Sequence, residues 1–439
     1  RSRGLGDVYK RQARKNNGAK RDMHYEMEEE EHVVYPDDPD FDINKARLFT
    51  TVPRICVRYE CVPMRFIKHV YKIHTYTQEG RLFEGKTPAS AFLNSSYDGS
   101  FIAGLMELRY IQSLPVERII NYFESHGFTL KKPTAHKLME KASSLFENLY
   151  KCIRQTALSD PYKAADETYY KILVPEKNSK GKGVRKGYLW VVVGINTRMI
   201  YLLYDDGSRS EKVILNELGG CKGIIQSDGY SPYRKLESDA YPHITRIPCL
   251  QHIKRKFIDC GEDDPDAKRI VEMINTLYQN EHKHKIGVDG WTVEQNLVHR
   301  KKYAPDILGE IKDVLDDIEE RGDLLPKSEL KEAITYLRNE WNAVVDIFNY
   351  GDTYLDNNMV ERMNRYISLS RKNSLFFGSH KGAERGAILY TIALTCRMHK
   401  VNLFEYLTDV INRTAEWQPN TPIEKYRELL PDRWEKAND

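Results

Sequence analysis

Three acidic side chains stand at positions where they could serve as metal ligands. Asp166 lies in the segment AADET, directly before a predicted strand, and Asp228 lies in SDGY, directly after another. Glu361 lies in DNNMVERMNR, on the polar face of a predicted amphipathic helix. Because the chain has 64 acidic residues, only their places in the predicted fold single these three out.

Carboxylates that lie side by side repel each other unless a cation lies between them. Mg²⁺ takes oxygen ligands from one or two carboxylates plus substrate phosphates. A third carboxylate would complete a two-metal site, in which ions about 4 Å apart activate the attacking oxygen and stabilise the leaving oxygen. The sequence therefore predicts two Mg²⁺ ions, for which Mn²⁺ could substitute, bound by Asp166, Asp228 and Glu361. From spacing alone, Asp228 as an ordinary Asp-Gly turn and Glu361 as a solvated helical glutamate stay open.

Apolar segments of strand length follow Asp166. The first three cover 168–174, 187–195 and 198–204, and only Asn196-Thr197 separates the last two. A two-residue connection predicts a tight hairpin, so these strands should be antiparallel.

A helix predicted over 208–218 connects these strands to a fourth, 223–227. A helix that leads back to a strand is a crossover, so the fourth strand should lie parallel to the first. This order is the start of an RNase H-like α/β core. Parallel neighbours would bring Asp166 and Asp228 to one end of the sheet, where sheet enzymes place their sites.

The second half of the chain is predicted to be helical. Apolar residues recur at helical spacing between 266 and 348, which predicts a large all-α insertion. The helix with Glu361 follows over 357–371, and a last helical region covers 383–413.

Three short helices are predicted between residues 100 and 150. Lys131 and Lys132 stand at the head of the third, with Pro133 at a position that the first turn of a helix tolerates. The shape is compatible with a helix-turn-helix, whose last helix enters a DNA groove. A three-helix connector that never contacts DNA is the alternative.

The composition sets limits on partners and compartment. The 439 residues carry 67 basic and 64 acidic side chains, so local patches rather than the net charge of +3 would have to meet a nucleic acid. The seven cysteines are scattered, and no apolar stretch approaches the roughly 18 residues of a membrane span. We therefore predict a cytosolic protein without a signal peptide or a membrane partner.

Six segments resemble, in order, the motifs of the insertion-sequence-66 family of bacterial transposases. The resemblance covers about residues 95–415 and implies a DDE-type, RNase H-like catalytic domain. Asp166 matches its first aspartate, Asp228 its second and Glu361 its glutamate. The segments are ADET, GYLWVVVG, GCKGIIQSDGYSPY, CLQHIKRKF, DNNMVERMNRYISLSRKNSLFFGSHKGAERGAILYTIALTC and NLFEYLTDVI.

Basic residues in these motifs suit DNA phosphates. In CLQHIKRKF, Cys249 and His252 are only half of a zinc site, and we assign no zinc there. In SRKNSLFFGSHKGAER, basic residues beside Phe376 and Phe377 could hold a strand end, or could form a surface loop over a packed Phe pair. The candidate DNA contacts are Lys131, Lys132, Lys254, Arg255, Lys256, Arg362, Arg371, Lys372, Lys381 and Arg385.

The N-terminal part departs from the family. Relatives often carry a zinc ribbon with two cysteine pairs, whereas only Cys56 and Cys61 stand here. Because structural zinc needs four ligands, we predict a degenerate, metal-free ribbon, with Cys2His2 ligation through His69 and His74 as the alternative. The opening RSRGLGDVYKRQ resembles a translated sequencing-adapter scar, so residues 1–12 are expected to be an artefact on a truncated N-terminus.

The resemblance implies a transposase that cuts the ends of an insertion sequence and joins the freed 3′ hydroxyls to target DNA. A homo-oligomer, accessory proteins of the same element and a place in the bacterial cytoplasm, associated with the nucleoid, are further implications. Two rivals remain: a catalytically silent DNA-binding protein derived from a transposase, and an RNase H-like nuclease that acts on branched DNA.

The predicted organisation has seven parts. They are a disordered lead-in (1–45), a zinc-ribbon-like β unit (46–95), a helix-turn-helix-like segment (96–160), the first part of the core (161–260), the helical insertion (261–350), the core helix with Glu361 (351–382) and a C-terminal helical region (383–439).

Overall fold

The predicted lead-in, Cys56, Cys61 and His74 lie outside the residues that the structure describes, so the expectations for them stay predictions. The same holds for most of the two strands predicted between 53 and 76. The computed structural model describes residues 64–70, 75–78, 81–84, 91–92, 95–177, 181, 183–261, 263–415, 417–418 and 420–436.

A five-stranded mixed sheet lies at the centre of the fold, in the order β5-β4-β3-β6-β7. β3, β4 and β5 are antiparallel neighbours, and β6 runs parallel to β3, as predicted. β7 runs parallel to β6 and was missed, because its sequence ITRIP is short and carries a charged arginine. The strands are β3 Tyr162–Leu173, β4 Val184–Gly194, β5 Ile200–Leu203, β6 Gly223–Ser227 and β7 Ile244–Pro248; a separate hairpin joins β1 Thr75–Gln78 to β2 Arg81–Glu84.

Two details of the predicted strands are wrong. β3 begins at Tyr162, so Asp166 lies within the strand, opposite Val191, and not before it. The sequence does not reveal the start of β3 as a buried strand, because it contains the charged residue Lys163. In the structure Lys163 is buried and donates from Nζ to the Lys222 carbonyl at 2.9 Å. The β4–β5 turn is also longer than two residues, since its first paired residues are Val193 and Ile200.

Helices make up most of the rest of the described chain. Three helices were predicted before the sheet, and the structure has four. The predicted third helix is interrupted at Phe146, and the apolar residues continue at helical spacing across this break, so the sequence did not show it. They are α1 Gly99–Met106, α2 Val116–Ser125, α3 Lys132–Leu145, α4 Glu147–Ser159, α5 Glu211–Leu218, α6 Ser231–Arg234, α7 Leu250–Ile258, α8 Pro265–Glu281, α9 Val293–Glu320, α10 Glu329–Ile347, α11 Asn358–Asn373, α12 His380–Met398, α13 Leu403–Ala415 and α14 Ile423–Glu428.

Helices α8, α9 and α10 form the helical block predicted between Asp228 and Glu361. The buried Arg300 of α9 ties this block to the segment before α11. Its Nη1 donates to the Tyr350 carbonyl and its Nη2 to the Thr353 carbonyl, each at 2.6 Å. Because a buried guanidinium is costly unless it is paired and hydrogen-bonded, this network fixes the path of the chain towards Glu361.

Among the helices that the structure describes, none has both the length and the apolar character required to cross a membrane.

Candidate active site

The parallel register of β3 and β6 places Asp166 and Asp228 at the same level of the sheet. Ala164 of β3 lies opposite Gln226 of β6, and each aspartate lies two residues further along its strand direction. Burial, the charge of Glu167 and the charge of Asp228 together raise the pKa of Asp166 to about 8. A carboxyl group in these surroundings would be stabilised as an anion by a bound cation.

Helix α11 holds the Asp166 strand through two side-chain amides. Asn364 Nδ2 donates to Asp166 Oδ2 at 2.5 Å, and Asn357 Nδ2 donates to the Ala165 carbonyl at 3.1 Å. Asn357, Glu361 and Asn364 are spaced i, i+4 and i+7, so they lie on one face of the helix. The prediction included Glu361 and missed Asn364, although this spacing could have identified it.

The turn at Asp228 is held on three sides. Its Oδ1 accepts from the Tyr230 backbone N–H at 3.1 Å, and its carbonyl accepts from Arg246 Nη2 at 2.9 Å. The Gly229 N–H donates to the Tyr336 hydroxyl at 2.8 Å. A Cβ at Gly229 would lie 2.5 Å from that hydroxyl, so glycine is required here by close approach and not only for freedom to turn.

A buried ion pair reinforces the Asp228 turn from the helical block. Arg246 Nη2 bonds to Glu340 Oε2, and both side chains are almost fully buried. Arg246 also pairs with Glu237 and donates from Nε to Ser227 Oγ at 3.2 Å. Glu340 belongs to α10, so the helical block contributes to the shape of the site. Neither residue was predicted.

Glu361 lies in the first turn of α11, beside Cys249 and His252. Its Oε1 lies 3.7 Å from His252 Nδ1, and neither of these buried atoms has a hydrogen-bond partner. One donor atom from each of the three residues lies within 4.8 Å of the others. Glu361 therefore joins Cys249 and His252, the two residues that the sequence shows as half of a zinc site.

The Cys249 thiol is a poor metal ligand in its present surroundings. Burial raises the pKa of Cys249 to about 12, and its Sγ accepts from the Asn357 backbone N–H at 3.2 Å. Because zinc binds the thiolate form, the proton would have to be displaced. The unpartnered oxygen of Glu361 is the atom of this group that best fits a hard divalent cation.

Glu167, next to Asp166, is a fourth acid that the sequence did not single out. Arg209 Nε donates to its Oε1 at 3.0 Å, and the Tyr233 hydroxyl donates to its Oε2 at 3.3 Å. Burial is the main cause that raises the pKa of Glu167, while its bond to Arg209 acts in the opposite direction. A carboxylate paired in this way is a structural neighbour of the site.

The predicted DNA contacts differ in their surroundings. Lys132 forms an ion pair with Glu117 at 2.7 Å, and Arg385 pairs with Glu140. Lys254 lies between exposed and buried, with its Nζ 5.9 Å from the centre of the Tyr278 ring. Six other candidates are exposed, and the prediction that they contact DNA is not tested: Lys131, Arg255, Lys256, Arg362, Lys372 and Lys381.

Lys256 is exposed, and its Nζ lies 5.8 Å from the ring centre of Tyr336.

The phenylalanine pair does not pack as a unit. Phe377 is buried and lies 4.3 Å from the Tyr170 ring centre, whereas Phe376 is 46% exposed. Arg371 lies over the Tyr169 ring at 3.9 Å and bonds to the Tyr169 carbonyl. The basic and aromatic character predicted for this segment therefore continues onto β3.

The chain matches the sequence model of a known protein family. The sequence model of a family described as "Transposase IS66 family" matches residues 94–385.

Three curated relatives from Sinorhizobium fredii (strain NBRC 101917 / NGR234) bear the name "Uncharacterized protein". The first, y4jD, is 25% identical over 370 residues, which cover 81% of this chain and 70% of y4jD. The second, y4hP, is 24% identical over 438 residues, or 94% of this chain and 76% of y4hP. The third, y4qI, is 26% identical over 440 residues, or 96% of this chain and 78% of y4qI.

Proposed function

The chain belongs to the IS66 family of transposases, and we propose that it cuts DNA at the ends of an insertion sequence and joins the freed 3′ hydroxyls to target DNA. The observation that carries this proposal is the register that places Asp166 and Asp228 at the same level of adjacent parallel strands. DNA is the substrate that membership of a transposase family implies. The reaction would be an in-line attack at phosphorus.

We further propose that the sheet and its helices are an RNase H-like core with an inserted helical block. Three antiparallel strands are followed by a crossover to the parallel β6 and β7. Helices α8, α9 and α10 lie in sequence between β7 and α11, the helix of Glu361. This arrangement accounts for the long separation between Asp228 and Glu361.

Asp166, Asp228 and Glu361 are the proposed ligands of two Mg²⁺ ions. Bound there, the ions would activate the attacking oxygen and stabilise the leaving one. The residues fit such ions, because the pKa of Asp166 is raised and Glu361 Oε1 lacks a hydrogen-bond partner. Carboxylate oxygens are also the donors that Mg²⁺ prefers.

The neighbours of these acids would orient them. Asp166 accepts one hydrogen bond on each oxygen, from Asn364 and from the Glu167 backbone N–H, which leaves further lone pairs on both oxygens for a cation. The buried Arg246 guanidinium would hold the Asp228 carbonyl, and the Asp228 carboxylate would be left to bind a metal ion. Metal-binding carboxylates that are themselves hydrogen-bonded keep a fixed geometry.

DNA outside the site would contact the exposed basic residues named above, with Lys131 and Lys132 at the start of α3. We propose a homo-oligomer as the active complex, with accessory proteins of the same element as further partners, in the bacterial cytoplasm at the nucleoid.

The proposal is tested with the full chain, Mg²⁺ and labelled duplexes that carry the sequences flanking its gene. Metal-dependent nicking at the element ends, followed by joining of the labelled 3′ ends to a target plasmid, is the expected result. Cutting without joining would instead indicate a branched-DNA nuclease. Binding without cutting would indicate a silent DNA-binding protein.

A further inference from the structure

Six basic and aromatic side chains form a continuous series that the sequence did not reveal. The series, called here the cation–aromatic ladder, alternates positive groups and tyrosine rings from β3, β4, α11 and two loops. In order, its members are Arg371, Tyr169, Lys186, Tyr188, Arg209 and Tyr230, and the successive distances from cation to ring centre are 3.9, 4.4, 5.2, 5.1 and 4.1 Å.

The middle of the ladder lies on one face of the sheet. Tyr169 of β3 is paired directly with Tyr188 of β4, so the two side chains project from the same face. Tyr169 is 37% exposed, and Lys186 and Arg209 are also exposed. Within the described part of the chain, Lys186 forms no ion pair with a carboxylate. Its charge is therefore open to a ligand.

Both ends of the ladder are connected to the candidate active site. The Tyr230 backbone N–H donates to Asp228 Oδ1 at 3.1 Å. Arg209 bonds to Glu167, the neighbour of Asp166 in the chain. Arg371 belongs to α11, the helix of Glu361. Tyr169 is three residues beyond Asp166 in β3 and projects from the opposite face, so a ligand on the ladder would reach the proposed metal ligands at the ends of the ladder, past Tyr230 or Arg371.

The arginines of the ladder are already held in place by the protein. Arg371 donates from Nη1 to Thr168 Oγ1 at 3.3 Å, and Arg209 is fixed by the Glu167 carboxylate. One carboxylate against three cations leaves the ladder positive. Fixed guanidinium planes and tyrosine rings are surfaces on which nucleic-acid bases stack, while a lysine suits phosphates.

We propose that the cation–aromatic ladder binds an unpaired DNA strand beside the scissile phosphate. This inference rests on the proposed function, because it assigns the ladder to the same reaction. Bases would displace the Lys186 side chain from the rings and stack on Tyr169 and Tyr188, and Lys186 and Arg209 would contact the phosphates. A duplex would use the cations alone, since its bases are already stacked on one another. The rings therefore distinguish a single strand from a duplex.

The test measures binding of the full chain in EDTA to fluorescein-labelled oligothymidylate and to a duplex of equal length. In a Tyr169→Leu/Tyr188→Leu double variant, single-strand binding should weaken about tenfold or more, because stacking carries much of it, while duplex binding changes less than about twofold. The Tyr169→Phe/Tyr188→Phe variant, which keeps the rings, should bind like the wild type. Tyr366→Leu is the matched control, since its ring lies 4.3 Å from Arg397 and outside the ladder.

A second variant tests the contribution of Lys186 to single-strand binding. Lys186→Ala removes a side chain that lies over two tyrosine rings, and it should reduce the salt dependence of single-strand binding by about 0.7 in log–log slope, the value for one phosphate. Melting curves check that each variant folds. The proposal is overturned if the Leu variant binds the single strand like the wild type, if it loses duplex and single-strand binding equally, or if oligouridylate binds more tightly than the DNA strand.

Failure of the ladder and failure of the proposed function give different results. If the chain cuts and joins element ends but the ladder variants bind a single strand normally, only the ladder assignment is wrong. If the wild type neither cuts nor joins, the proposed function is wrong even where single-strand binding depends on the rings.

Discussion

The Asn364 amide lies 2.5 Å from Asp166 Oδ2, so a helix contacts a strand directly at the first proposed metal ligand. Asn364 is one turn after Glu361 and on the same helix face. The contact therefore links the position of the third acid to that of the first. Because the amide is a neutral donor, it can orient Asp166 whether the carboxyl is charged or protonated.

Removal of this amide should impair cleavage without unfolding the chain. We expect Asn364→Ala to lower metal-dependent cleavage about tenfold to a hundredfold, the usual effect of losing a group that orients a metal ligand. Asn342→Ala, at an exposed asparagine of α10, is the control. A cleavage time course compares them. Equal cleavage rates for Asn364→Ala and the wild type would show that Asn364 does not orient Asp166 for cleavage.

The raised pKa of Asp166 predicts how stability depends on pH. An aspartate ordinarily titrates near pH ~4, whereas burial and two neighbouring acids raise the pKa of Asp166 to about 8. The folded chain then holds a proton that the unfolded chain has lost, so this contribution to stability falls as the pH rises from about 4 to about 8 and is constant above that.

Asp166→Asn mimics the protonated form and should not lose this stability. In EDTA, the melting temperature of the variant relative to the wild type should rise between pH 5 and 8, roughly the window given by the two pKa values. Differential scanning calorimetry gives the comparison. A difference in melting temperature that does not change between pH 5 and 8 would mean that Asp166 is ionised in the metal-free protein.

The buried Arg246–Glu340 pair should be important for stability. Glu340→Gln leaves the buried guanidinium with less compensation, and loss of one partner of such a pair costs about 3–5 kcal/mol. Glu237 still contacts Arg246, which places the expected loss at the lower end of this range. Urea unfolding measures it. Glu332→Gln, at an exposed residue of the same helix, should change the free energy of unfolding by less than about 0.5 kcal/mol.

Zinc should be substoichiometric in the purified chain. Burial raises the pKa of the Cys249 thiol to about 12, so the thiol keeps its proton. Because zinc binds the thiolate, Cys249, His252 and Glu361 should bind zinc weakly. Cys56 and Cys61 provide only one cysteine pair. Elemental analysis of the metal content decides the matter. One tightly bound zinc per chain, lost in Cys249→Ser, would show that the three residues form a structural metal site.

The sequence was sufficient to predict two structural features near the site. The parallel crossover from β3 to β6 follows from the order of strands and one helix, and with it the juxtaposition of Asp166 and Asp228. The helix of Glu361 follows from its apolar spacing. Each of these features depends on short-range periodicity or on a general rule of connection.

Long-range pairings could not be predicted. Glu340 and Arg246 are 94 positions apart in the chain, and a single sequence does not indicate that they form an ion pair. The same holds for the cation–aromatic ladder, whose members come from β3, β4, α11 and two loops. Asp166 was placed outside β3, because buried polar residues such as Lys163 break the apolar pattern of a strand.

The proposal that Asp228 binds a catalytic metal ion can be tested with an Asp228→Cys variant. A thiolate binds the hard Mg²⁺ poorly and softer ions better. Asp228→Asn, which cannot offer a thiolate, is the control, and melting curves verify that both variants fold. We expect Asp228→Cys to lose cleavage of element ends in Mg²⁺ and to regain it in Mn²⁺, whereas Asp228→Asn stays inactive in both. Wild-type cleavage by either variant in Mg²⁺, or equal inactivity of the folded Cys and Asn variants in Mn²⁺, would contradict it.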